Sequence, residues 1–130
     1  MTDENWKAFF FLANQILGQG DRQREKSESW CSWTTFGRLT SDCGYWQSGL
    51  PSQEHILDYS TADNGPWGQP FLYTDIAHII IPREFYWETS LPTGFRNGSR
   101  SQNIDVLSQK LSEKNITHRI TELVLEIKLY

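Results

Sequence analysis

Apolar residues recur at helical spacing near the start of the chain. Trp6, Phe9, Phe10, Ala13, Ile16 and Leu17 share one face of residues 3–17, which predicts an amphipathic helix. Thr2 or Asp3 is placed to cap it, the early acids suit its positive end, and Gly18 and Gly20 stop it. Residues 19–29 are polar and mixed in charge, a solvated loop. From Trp30 the pattern changes. The stretch WCSWTTFGRLTSDCGYW is rich in Trp, Thr, Phe and Tyr, and predicts strands around 30–39 and 44–47.

Residues 48–70 hold most of the turn chemistry. Gly49-Leu50-Pro51-Ser52 reads as a turn, with Ser52 capping a short helix through Tyr59. Asp63-Asn64-Gly65-Pro66 and Gly68-Gln69-Pro70 are strong breakers. FLYTDIAHIII, residues 71–81, is a short, β-branched apolar run bounded by prolines, and predicts a buried strand ended by Pro82. Residues 83–100 read as a long connection. A second helix then runs to about Lys114, capped by Ser99 or Ser101, with Ile104, Leu107 and Leu111 inward and Asn115 at its exit. In the tail the apolar positions switch parity, from Ile116 and Ile120 to Leu123, Leu125, Ile127 and Leu129. One flat strand cannot keep both sets on one face, so a tight turn at Thr121-Glu122 and a C-terminal β-hairpin are predicted. The fold class expected is α+β. It is a single domain over residues 1–130, with two main helices and an antiparallel or mixed sheet of about four to six strands.

Composition adds partners to exclude. The chain has 130 residues and a formal net charge of -4, from 12 basic and 16 acidic residues. A nonspecific nucleic-acid binder needs a basic face to neutralise phosphates, so nucleic acid is not expected as a partner. Phe9-Phe10-Phe11-Leu12 is too short for a membrane span and follows acids rather than the basic flank of a signal peptide. The expectation is a cytoplasmic protein with Cys31 and Cys43 reduced and buried as small hydrophobes.

Candidate chemistry is sparse. His55, His78 and His118 sit in no metalloprotease, nucleophile-elbow or phosphate-loop context, and His78 and His118 read as packed sheet residues. Gly18-Gln19-Gly20 follows a helix instead of opening one, so it cradles no phosphate. No catalytic residue, metal or cofactor is expected. Recognition is better represented: aromatics are 14% of the chain, with six Trp. Two stretches interleave aromatics with charge: DNGPWGQPFLYTD, with Asp63, Trp67, Tyr73 and Asp75, and PREFYWETS, with Arg83, Glu84, Tyr86, Trp87 and Glu88. Large aromatics and arginine dominate interface energetics. Because the two stretches flank the central strand, they are expected to meet at one end of the sheet as a binding surface.

The NWKAFF helix, the FLYTDIAHIIIPR strand and the closing helix with its ITELVLEIKLY hairpin resemble, in layout, small bacterial orphan proteins of the immunity type found in interbacterial toxin systems. The resemblance implies a toxin-neutralising inhibitor that meets a basic protein partner through acids. Two other functions stay open on the residues: a small enzyme pairing His55 or His78 with a carboxylate, and a domain that self-associates as a homodimer through its C-terminal strand at a sheet edge.

Overall fold

The computed structural model describes residues 1–62 and 68–130. The first helix, α1 (Asp3–Leu17), begins where Thr2 Oγ1 accepts the Asn5 amide at 3.0 Å, and its apolar stripe buries Trp6, Phe9, Phe10, Ala13 and Leu17. Next come β1 (Cys31–Thr35), α2 (Phe36–Ser41), β2 (Trp46–Ser48), β3 (Ser60–Thr61) and β4 (Phe71–Leu72). The chain continues through β5 (Ile76–Pro82), β6 (Glu84–Leu91), β7 (Gly94–Ser101), α3 (Ile104–Glu113), β8 (Arg119–Ile120) and β9 (Val124–Lys128).

The main sheet is antiparallel throughout, in the order β2-β1-β5-β9-β8. Alternation sends Cys31, Trp33, Ile79, Ile81, Leu125 and Ile127 to one face, where they join Trp6, Phe9 and Phe10 of α1 and Ile104, Leu107 and Leu111 of α3 in the core. The other face carries the cross-strand sets Ser32–Ile80–Glu126 and Thr34–His78–Lys128. The architecture is α+β, as expected, with two main helices and a closing β8–β9 hairpin. Its turn lies at Thr121, whose Oγ1 accepts the Leu123 and Val124 amides.

Several elements differ from expectation, each for a local reason. The strand that starts at Cys31 stops at Thr35, because Thr35 Oγ1 accepts the Arg38 amide and caps α2. The helix expected from Ser52 to Tyr59 is a single 3-10 turn, Gln53–His55. Ser52 Oγ accepts from Gln19 Nε2 instead of capping it. The run 71–81 is broken by a 3-10 turn at Tyr73–Asp75, so the central strand starts at Ile76 and includes Pro82. The residue capping α3 is Asn103, whose Oδ1 accepts the Val106 amide; Ser99 and Ser101 lie in β7. Most consequential, residues 83–100 are no connection. They form a two-stranded ribbon in register from Glu84↔Ser101 to Leu91↔Gly94, turning through Pro92-Thr93.

Two glycines hold the loop after α1 against the chain before Pro51. A Cβ on Gly20 would stand 2.1 Å from the Leu50 carbonyl oxygen, and one on Gly49 would stand 2.4 Å from the Asp21 amide nitrogen. Gly20→Ala is therefore expected to destabilise by about 2 kcal/mol through overpacking. Gly37→Ala, where a Cβ meets nothing within 4 Å, is expected to be neutral or to stabilise by up to about 1 kcal/mol in its helix. Urea denaturation of the two variants checks both signs.

Candidate functional site

The β6–β7 ribbon leaves the main sheet at the end of β5 and, among the described residues, is tied down at its base. Its two faces follow from the register, since cross-strand partners share a side and successive residues alternate. One face holds Phe85, Trp87, Thr89, Leu91, Arg96, Gly98 and Arg100, and its base packs on the protein body. Phe85 is buried and stacks on Trp30 with ring centroids 6.1 Å apart. The Arg100 guanidinium donates to the carbonyls of Ser27 and Glu25 and lies 5.8 Å from the Trp87 ring. The Trp87 indole covers its partner Gly98 so closely that a Cβ there would come within 2.8 Å of it. Arg24 adds a clamp from below, over the Trp30 ring at 4.7 Å and donating to Gln47 Oε1.

The opposite face carries Glu84, Tyr86, Glu88, Ser90, Phe95, Asn97, Ser99 and Ser101, and it holds two acids and no cation. Tyr86 is 47% exposed and Phe95 60%. The Tyr86 hydroxyl donates to Glu88 Oε2 at 3.0 Å and accepts from Asn97 Nδ2 at 3.2 Å, which fixes the ring on the surface. Beyond Glu88 and Asn97 the ribbon has no buried residue, yet it ends in Leu91 and Phe95.

The expected binding residues separate on this frame. Glu84, Tyr86 and Glu88 share the outward face. Trp87 points to the other side and is half-buried. Arg83 is occupied: its fork meets both Asp105 oxygens at 2.6 and 3.1 Å and donates to the carbonyls of Glu122 and Thr121, which holds the Asp105 carboxyl below the usual carboxylate range. Tyr73 is fully buried, stacked on Phe10, with its hydroxyl donating to the Leu57 carbonyl at 2.6 Å; burial pushes it up to about 12, and it offers no contact surface. Asp75 is exposed but precedes β5, whereas the ribbon follows it. A seven-residue strand puts roughly 20 Å between Asp75 and the start of the ribbon, so Asp75 does not join the ribbon at one end of the sheet. Asp63 and Trp67 lie outside the described residues. Sequence reasoning missed Phe95 and Asn97, because GFRNGSRS has too few apolar residues to read as a strand.

The histidines do not converge. His118 bridges Ser108 Oγ and the Ile116 carbonyl. His55 lies by the loop after α1. His78 is buried on the face of the sheet opposite α1 and α3, where the Tyr45 hydroxyl lies 2.7 Å from its Nδ1. Burial pushes that hydroxyl up to about 12, and the other ring nitrogen, Nε2, faces Glu126 at 3.6 Å, beyond hydrogen-bonding reach. Desolvation lowers the His78 pKa below its ordinary 6.5, against the opposing pull of Glu126. The unfolded chain thus takes up a proton first as pH falls. The stabilisation is complete above about 6.5 and erodes below it. Wild type is expected to lose more stability between pH 7.5 and 5.5 than His78→Gln, which keeps an acceptor for Tyr45. Equal losses in denaturation at the two pH values would contradict this.

Cys31 is buried as expected, whereas Cys43 is exposed, with its thiol donating to the Leu39 carbonyl. Among the described residues no group of three or more His, Cys, Asp or Glu is placed to hold a metal ion, and no helix is long and apolar enough to cross a membrane. The C-terminal strand β9 lies between β5 and β8 in the sheet order, with β8 paired to its residues Leu125 and Glu126. No protein-family model, curated protein or solved structure matches the chain.

Proposed function

We propose that this chain is a protein-binding module whose contact element is the β6–β7 ribbon, with Glu84, Tyr86, Glu88, Phe95 and Asn97 on the docking face. One observation carries this: the ribbon's outer half has no core behind it, yet it presents Phe95 and Leu91 (45% exposed) to solvent. Apolar groups on a projecting arm stabilise nothing within the chain, but burying them against a partner is favourable by about 25 cal/mol per Å². Two acids and no cation on the docking face suit a basic partner, with association that weakens as salt rises. The resemblance to immunity-type proteins would make that partner a protein toxin, met in the cytoplasm.

Tyr86→Ser/Phe95→Ser tests the proposal. Both side chains are exposed, so the double variant should keep its stability to within about 0.5 kcal/mol. Immobilised wild type should retain a basic protein from a lysate of the source cell that the variant does not retain, and that purified protein should bind wild type at least tenfold more tightly. An identical set of retained proteins on both would overturn the proposal.

A further inference from the structure

The loop after α1 and the turn Gln53–His55 enclose a cleft of about 570 Å³, within the size range of small-molecule sites. Its lining is mostly polar and includes Gln19, Arg22, Gln23, Lys26, Ser52 and His55. Basic side chains elsewhere are nearly all engaged. Lys7, Arg38, Arg83, Lys110 and Arg119 meet carboxylates; Arg24 and Arg100 are held by oxygen acceptors and tryptophan rings; Lys128 lies over Tyr130. Arg22, Lys26, Arg96 and Lys114 have no such partner among the described residues, and two of these four line one cleft. The acid in that lining, Asp21, is turned back onto its own loop and accepts the Gln23 amide at 2.7 Å. Among the described residues neither Arg22 nor Lys26 meets a carboxylate, so both cations of this lining are available to an anion from outside. His55 lines the cleft beside them and is half-buried. The backbone around the cleft is set by the Gly20–Gly49 approach, and Gln19 Nε2 is held by Ser52 Oγ at 2.5 Å, so the walls are fixed by contacts of their own.

We infer that this cleft binds a small multivalent oxyanion, a phosphorylated or polycarboxylate molecule, with the Arg22 fork and the Lys26 ammonium neutralising it and His55 at its side. Amide spectra of the full chain titrated with pyrophosphate and, separately, citrate, at constant ionic strength set by chloride, test it. The expected result is saturable shifts confined to residues 19–28 and 52–56, at least tenfold weaker in Arg22→Gln/Lys26→Gln and unchanged in Arg96→Gln/Lys114→Gln. The tighter of the two probes assigns the phosphoryl or carboxylate class. Shifts that fail to saturate with either probe, or that persist equally in Arg22→Gln/Lys26→Gln, would overturn the inference. All four side chains are at the surface, so unchanged thermal melting should accompany each variant.

Discussion

Gln102→Ala is expected to lower stability by about 3 kcal/mol and to loosen the ribbon from its base. Gln102 is buried where β7 runs into α3. Its Oε1 accepts the Trp30 amide at 3.0 Å, and its Nε2 donates to the carbonyls of Trp30 at 3.0 Å and Pro82 at 2.9 Å. One side chain thereby joins the end of the ribbon to the start of β1 and the end of β5. Alanine removes three hydrogen bonds to backbone groups in a largely buried site, where an unsatisfied group costs about 1–3 kcal/mol before relaxation. Urea denaturation should show the loss, and hydrogen exchange should show faster opening at the ribbon base. A loss below about 1 kcal/mol with unchanged exchange would mean that Gln102 does not hold the ribbon.

Phe85→Ala is expected to cost about 3 kcal/mol, at the low end for a buried phenylalanine because Phe85 sits at the rim of the fold. Its ring stacks on Trp30, itself beneath the Arg24 guanidinium, so truncation opens a gap in a stack three groups deep. Tyr86→Ala, one residue on, should change stability by no more than about 0.5 kcal/mol, because Tyr86 faces outward. The contrast between adjacent positions tests which face of the ribbon is inward. Equal costs, or the reverse order, would refute the face assignment.

Elements with strong periodicity were legible in the sequence. The apolar stripe of α1, the Ile104–Leu107–Leu111 stripe of α3 and the parity change in the tail each report a face that must be buried, and burial is what periodicity records. The ribbon was not legible for the same reason. Its outer half buries nothing, so Ser90, Phe95, Arg96 and Asn97 carry no alternation for a core to impose, and Pro92 and Gly94 read as loop residues although Gly94 opens β7 right after the Pro92-Thr93 turn. The candidate site was half legible. Charge interleaved with aromatics drew attention to Glu84, Tyr86 and Glu88, but composition could not separate an outward Tyr86 from an inward Trp87, nor reveal that Tyr73 lies under Leu57. Those distinctions depend on strand register and on contacts distant in sequence. The oxyanion cleft had no sequence signal, because its walls meet through Gly20 and Gly49, far apart in the chain.

A photo-reactive residue on the ribbon tests the central claim most directly. p-Benzoylphenylalanine at Phe95, irradiated in the source cell, should yield a discrete cross-linked adduct to another protein. The same residue at the exposed Ser112 of α3 should not. Adducts at neither position, or the same adducts from both, would contradict the ribbon as the contact element.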